Sequence, residues 1–254
     1  MSVVTVSAEL TQIAGSFLSV RCRLSVVTDE PLRVRSTDTA DWGRRLYDWY
    51  GDHASVYALV DRASQSLRRE AVEALDPAPG DTVLDVGCGP GSNFELLRDR
   101  VGSSGTVIGV DYSAGMVRRA RRRVVSNEWE NVAVVQADAA CLPVSTDSLD
   151  GATATLALSA MPAVETVATE VARVLRPGGR LAVMDADLRR ETAGVAYPLL
   201  ARLYRRLANW QADVDVPGVL DSAFDDLREI ARHDGGTAVI LSAEITAKPT
   251  SESP

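Results

Sequence analysis

Lysine is almost absent from this 254-residue chain: of its 27 basic residues only Lys248 is a lysine, and the rest are arginines. Histidine is nearly as scarce. His53 and His233 are the only two, which excludes a multi-histidine metal centre, and no metal is expected. The three cysteines, Cys22, Cys88 and Cys141, form no CxxC pair, so neither a zinc site nor a disulfide framework is expected. Their odd, scattered placement fits a reducing compartment. No apolar run reaches the ~20 residues of a membrane helix. The opening "MSVVTVSAEL" lacks the basic region of a secretory leader, and a cytoplasmic location is the expectation. The 35 acids leave a net charge of −8, which repels phosphate backbones and argues against a nucleic-acid partner. Scarce lysine beside abundant aspartate also resembles salt-adapted proteins.

What is present is a core and a rhythm. Hydrophobic residues make up 46% of the chain, enough for a sizeable interior. Residues 1–41 carry β-prone stretches at 2–6 and 17–27 and no recognisable chemistry, and are read as an N-terminal extension. Residues 42–57, "WGRRLYDWYGDHASVY", hold five of the 13 aromatics, with Trp42, Trp49 and Tyr50 read as core anchors. A helix is expected over 53–75, ended by the breakers of "DPAPGD". Strands are then expected at 82–86, 106–110, 132–136, 149–156 and 180–185. Helices are expected between them at 91–100, 113–125 and 163–175. Such alternation means βαβ units and a mostly parallel, doubly wound sheet. Beyond it, helices are expected near 195–211 and 219–232 and a strand at 237–246.

The chemistry begins at "LDVGCGPGS", residues 84–92. Strand, glycine turn and helix make a nucleotide-site geometry, because glycines allow a tight turn and the helix aims free N–H groups at a ligand. The Gly-Lys-Ser/Thr of a phosphate-binding P-loop is missing. The dinucleotide pattern is also broken: Ser92 stands in the third glycine slot, and Pro90 removes an N–H that a pyrophosphate would use. Asp85 would repel a pyrophosphate and attract a cation. Asp111 ends "VIGVD" 20 residues after Gly91, where an acid can take ribose hydroxyls. Asp138 ends a third strand at the same sheet edge.

These pieces resemble the class I S-adenosylmethionine-dependent methyltransferases. "LDVGCGPGS" looks like their first motif, "GVDYSAGMVRRA" their second and "QADAACLP" their third. "LDGATATLALSAMP" is similar to their fourth strand, and "VARVLRPGGRLAVMD" to their helix, turn and fifth strand. The resemblance implies a Rossmann-like sheet in the order 3-2-1-4-5-7-6. Only one strand is legible near the end of the chain, so six or seven strands are expected, a hidden sixth falling in 211–220. It implies S-adenosylmethionine as cofactor. Gly87, Gly89 and Gly91, with Cys88 between them, lie under the methionine moiety, and Asp85 near its ammonium. Asp111 takes the ribose hydroxyls, with Tyr112 and Met116 of the second motif beside the adenosine. Asp138 and Ala139 meet the adenine edge, and Leu156 to Ser159 form the floor. The methyltransferase domain is expected over 42–254, with a helical, lid-like insert at about 187–218.

The methyl of a sulfonium is already electrophilic, so the protein's main task is alignment, and a base is needed only for a protonated acceptor. His53 and Asp185 are the candidate bases, and Tyr47 and Tyr57 the candidate acceptor contacts. "SAMP" after the fourth strand lacks the Asn/Asp-Pro-Pro-aromatic clamp of nucleobase amino-methyltransferases. A small-molecule or lipid-like acceptor is therefore expected, on a monomer or homodimer. The resemblance is strongest to the quinone-biosynthesis and small-molecule branch, although that branch's Gly-Leu/Ile-Arg-Asn stretch is missing. The apolar positions 199, 200, 203, 207 and 210 share a helical period that could close a lid over such an acceptor. The rival readings are an NAD-dependent oxidoreductase and a non-catalytic cofactor-binding module. The arginines at 118–123 are read as a solvated helix face.

Overall fold

The computed structural model describes residues 38–188, 194–211, 214–233 and 237–246. The expected extension up to residue 37 lies outside them, as does part of the expected insert.

Residues 82–244 carry a seven-stranded sheet in the order β3-β2-β1-β4-β5-β7-β6. Its strands are β1 (Thr82–Val86), β2 (Thr106–Asp111), β3 (Val132–Gln136), β4 (Leu149–Thr155), β5 (Leu175–Ala186), β6 (Arg228–His233) and β7 (Ala238–Glu244). The first five run parallel, and β7 lies antiparallel between β5 and β6. β1 is buried along its whole length, as a parallel strand covered on both faces must be. Alternate residues feed opposite layers. Leu84, Ile108, Val135 and Val183 pack on one side of the sheet; Val83, Val107, Val134 and Ala182 pack on the other.

The helices are α1 (Asp38–Asp52), α2 (Ala54–Leu75), α3 (Phe94–Val101), α4 (Ala114–Ser126), α5 (Val164–Val174), α6 (Tyr197–Ala208) and α7 (Val216–Ala223). The expected helix over 53–75 is α2, and a separate helix precedes it, the break falling at His53 (φ −108°, ψ 66°). α2 stops where Asp76 turns left-handed just before Pro77. α4 starts on an N-cap: the Ser113 hydroxyl accepts the Met116 N–H at 3.1 Å. Asp48 of α1 reinforces that start, accepting from the Ser113 hydroxyl at 2.6 Å and the Gly115 N–H at 2.9 Å. The crossing needs two glycines. A Cβ on Gly51 would sit 2.5 Å from the Gly115 carbonyl carbon, and one on Gly115 would sit 2.8 Å from the Asp48 carbonyl oxygen. This contact docks α1 beside the carboxyl edge of the sheet.

Four expectations need correction. Strand six is present, at Arg228–His233 and not in 211–220, and the helix expected over 219–232 ends at Ala223. "LREIARH" has helix-favouring composition, but pairing to β7 draws it into an edge strand, where charged residues suit the solvent side. Trp42 and Trp49 are 49% and 45% exposed, so only Tyr50, at 7%, is a core anchor. The arginines of α4 are not simply solvated: Arg121 donates to the Val134 carbonyl at 2.9 Å, and Arg123 lies over the Trp129 ring. Cys88 is a free buried thiol.

Candidate active site

A cavity of about 330 Å³ opens at the carboxyl ends of β1 to β4, where the strand order reverses between β1 and β4. This is the position at which open α/β sheets bind ligands, and the volume is in the range of cofactor pockets. Gly87 and Gly89 after β1, Asp111 and Tyr112 at the end of β2, Asp138 and Ala139 after β3, and Leu156 after β4 form its wall. Met116 of α4 lines it too. Gly43, Arg44 and Tyr47 of α1 and Asn209 after α6 close it from above.

The glycine loop is folded onto itself. Cys88 N–H donates to the Val110 carbonyl at 3.0 Å, Gly91 N–H to the Cys88 carbonyl at 3.0 Å, and Gly89 N–H to Asp111 Oδ2 at 2.8 Å. Three amides that a pyrophosphate would seek are therefore already used. Gly87 is left-handed (φ +66°), and a Cβ there would lie 2.8 Å from the Ala157 Cβ, so only glycine fits. Leu156 is also left-handed (φ +54°), with its N–H donated to the Met184 carbonyl at 2.7 Å. A bulky residue in that conformation marks strain at the cavity wall.

Asp111 is half-buried. Its Oδ1 accepts the Ser113 N–H at 2.8 Å while Oδ2 holds Gly89. Burial pushes its carboxyl up to about 6 against the pull of those two hydrogen bonds. Each oxygen keeps a second lone pair, so the side chain can still accept two hydroxyls. Asp138 Oδ1 accepts the Ala140 N–H at 2.9 Å, fixing the turn after β3.

Four expected cofactor residues do not line the cavity: Asp85, Cys88, Gly91 and Ser159. Cys88 packs into the core with Phe94, and burial raises its thiol well above the usual range. Gly91 (φ +82°) faces the Phe94 ring, 2.5 Å from where its Cβ would be. Asp85 is fully buried, with Oδ1 accepting from Asn93 Nδ2 at 2.9 Å and Oδ2 lacking any partner. Burial pushes it up to about 7, against the Asn93 hydrogen bond and the charge of Arg68. Arg68, only 3% exposed, donates to Asn93 Oδ1 at 3.2 Å and to the Thr155 hydroxyl, and lies 3.6 Å from Asp61. Thr155 belongs to both this network and the cavity wall.

Neither candidate base reaches the cavity. His53 is exposed; its ring stacks on Trp49 at 4.2 Å, with Nδ1 2.9 Å from the Trp49 carbonyl. Asp185 is fully buried, accepting from Ser159 N–H at 3.0 Å, Ser159 Oγ at 2.5 Å and Ala186 N–H at 2.7 Å. Burial raises its pKa against those bonds. Its geometry is that of a clamp on the 3₁₀ turn Leu158–Ala160. Tyr47 lines the cavity and donates its hydroxyl to the Ala208 carbonyl at 2.9 Å. The Tyr57 side chain lies outside the described residues.

The sequence reading missed Asp48, Arg68, Asn93 and Asn209. Asn209 is the left-handed cap of α6 (φ +51°), donating to the Ala160 carbonyl at 2.8 Å beneath Gly43. An asparagine directly after a helical run is a C-cap signal that could have pointed to it. A buried arginine leaves no such mark.

The residues fit S-adenosylmethionine. The ligand is a cation without phosphate. The wall offers carboxylates at two strand ends, an orphaned Asp85 oxygen close behind the loop, and a loop whose amides are satisfied. Among the described residues, no cluster of three or more histidines, cysteines or acids is placed to hold a metal ion.

A sequence profile described as "Methyltransferase domain" matches residues 77–232. "Methyltransferase GfsG" of Streptomyces halstedii is 34% identical over 216 residues, which are 82% of this chain and 75% of that protein. A "Demethylmenaquinone methyltransferase" of Symbiobacterium thermophilum is 34% identical over 147 residues; the match spans 57% of this chain and 59% of that protein. The crystal structure of a SAM-dependent methyltransferase from Aquifex aeolicus shares the fold, with a TM-score of 0.56 and 22% identity over 70% of this chain and 89% of that one. The chain belongs to the methyltransferase-domain family. It is an S-adenosylmethionine-dependent methyltransferase.

Proposed function

We propose that this enzyme methylates a small apolar or amphipathic acceptor that supplies its own nucleophile. One observation carries the reading. Among the described residues lining the cavity, the charged side chains are Arg44, Asp111 and Asp138, while Ala137, Ala140, Ala160, Met161, Pro162 and Val167 make much of the rest apolar. Asp111 and Asp138 are both held by backbone N–H groups, and no histidine, glutamate or cysteine joins them.

In this reading Asp111 accepts the ribose hydroxyls, Asp138 and Ala139 meet the adenine edge, and Gly87 and Gly89 pass under the methionine chain. Asp85 acts on the ammonium by its field, since its carboxylate stands outside the cavity lining. The bound cofactor supplies the electrophilic methyl. The chain's own residues hold the acceptor in line with it, and orientation of that kind can lower a barrier by ~7–11 kcal/mol. An ionised enol or phenol, or a neutral amine, then needs no protein base. The names of the relatives support a small-molecule acceptor without fixing which one.

The test is transfer of label from methyl-labelled cofactor to total RNA, to DNA and to an organic extract of the host, in separate tubes. Label is expected in the extract alone. Transfer to RNA or DNA and not to the extract would overturn the reading.

A further inference from the structure

The periodic leucines of α6 do not face the cavity. Leu199, Leu203 and Leu207 are 72%, 46% and 51% exposed, and Val195 just before the helix is fully exposed. The helix packs inward through Ala201, Tyr204 and Tyr197, in one cluster with Leu188 and Trp210. Spaced four apart, the three leucines form one outward stripe. Arg202, Arg205 and Arg206 fall on the flank beside it, all exposed. Residues 194–211 contain these three arginines and no acid, in a chain of net charge −8. None of the three makes an ion pair among the described residues.

A leucine stripe in water is unfavourable, and a contiguous apolar patch rimmed by charge marks an interaction site. The local charge says what covers it. In a dimer through this stripe each α6 would face its own copy and bring the two sets of arginines together, whereas an anionic lipid surface matches both the leucines and the arginines. Amphipathic helices with arginine on the polar face lie in such an interface with the apolar face buried. α6 is also tied to the mouth of the cavity: the Tyr50 hydroxyl donates to the Leu207 carbonyl at 2.7 Å and the Tyr47 hydroxyl to the Ala208 carbonyl at 2.9 Å. Asn209, the next residue, lines the cavity itself.

We propose that the outward face of α6 docks the enzyme on an anionic lipid bilayer, with its leucines in the acyl boundary and its arginines on the headgroups. This surface contact does not depend on which acceptor is methylated, so it stands or falls apart from the proposed function. Among the described residues no helix is long and apolar enough to cross a membrane. The docking is therefore peripheral.

The experiment is co-sedimentation of the full chain with vesicles of phosphatidylcholine alone and of phosphatidylcholine with about one-third phosphatidylglycerol, at low and high salt. Binding is expected to the anionic vesicles and to weaken with salt. Each arginine near an anionic surface is worth about fivefold in partitioning, so Arg202→Gln/Arg205→Gln/Arg206→Gln should lower it about 100-fold. Leu199→Ser/Leu203→Ser/Leu207→Ser should lower it at least about tenfold. Unchanged calorimetric binding of S-adenosylhomocysteine will show that both variants fold. No sedimentation with anionic vesicles, or sedimentation that the leucine variant leaves unchanged, would overturn the proposal. So would a dimer in light scattering that the leucine variant splits, because the stripe would then be an interface between copies.

Discussion

The wall of the cavity and its cap are built on opposite terms. On the wall and just behind it, side chains and backbone lock each other: Asp111 holds Gly89 and Ser113, Asp138 holds Ala140, and, behind the lining, Asp185 holds Ser159. The cap is tied at separate points, Asp48 joining α1 to the start of α4, Tyr47 and Tyr50 joining α1 to α6, and Asn209 joining the end of α6 to Ala160, and it leaves Trp42, Trp49 and the α6 leucines in contact with solvent. A wall with no slack suits a ligand that is the same in every turnover. A cap tied at separate points opens at low cost, which exchange of acceptor and product requires.

The largest effect should come from breaking the wall at Gly87. Gly87→Val adds a left-handed β-branched residue and a Cβ 2.8 Å from that of Ala157. Strain and overpacking together should cost about 2–5 kcal/mol in urea unfolding and abolish cofactor binding in calorimetry. Wild-type affinity in that variant would take the loop out of the site.

Asp185→Ala comes next. It strips a buried acceptor from the Ser159 and Ala186 amides and the Ser159 hydroxyl, and should cost about 2–4 kcal/mol. A clamp lowers stability when removed, whereas a general base lowers kcat alone. A variant with normal thermal stability and lost turnover would restore Asp185 as a base.

The wall and the layer behind it also have a pH signature. Asp85 and Asp111 are raised to about 7 and about 6 from an ordinary value of 3.8. Between those limits the folded chain holds more protons than the unfolded one. Ligand-free stability must therefore fall as pH rises from about 4 to about 7, by of order 4 kcal/mol for Asp85. Thermal melts across that range should show the slope, and Asp85→Asn should flatten it. A bound cation opposes the effect, so saturating cofactor should flatten it too.

What the sequence revealed follows the same division. The parallel strands are short apolar runs bounded by glycine and acid, and the strand ends carry the motifs, so β1, β3, Gly87, Asp111 and Asp138 could be placed from residues alone. The cap depends on contacts between distant segments. Gly51 against Gly115 and Asp48 on the start of α4 have no local signature, and the cap signal at Asn209 does not say that it lies beneath Gly43. The helical period of Leu199, Leu203 and Leu207 was legible, but a period gives the existence of a stripe and not the side it faces. β6 was misread because its residues favour helix and only β7 makes them a strand.

Asn209 tests the cap directly. Asn209→Ala removes the bond to Ala160 and places a non-asparagine in a left-handed position, for about 1–2 kcal/mol. In the proposed reading, in which the cap covers the acceptor side, KM for the acceptor should rise several-fold while cofactor affinity holds. Equal losses in both would mean that wall and cap act as one unit.

The smallest effect should be at His53, the one imidazole near the cap. Its ring lies on Trp49 at 4.2 Å and 18° between planes, and its Nδ1 is 2.9 Å from the Trp49 carbonyl. Both partners belong to α1, and the side chain is outside the cavity. His53→Ala gives up that stacking, worth about 0.5–1 kcal/mol at an exposed site, and nothing that touches a reacting atom. The expected result is a kcat within about twofold of wild type and an unaltered pH–rate profile, as the proposal that the acceptor supplies its own nucleophile requires. A general base contributes about 100-fold or more. A loss of that size with KM unchanged would mean that the cap swings His53 into the cavity during turnover, and the sharp division between a locked wall and a passive cap would fail.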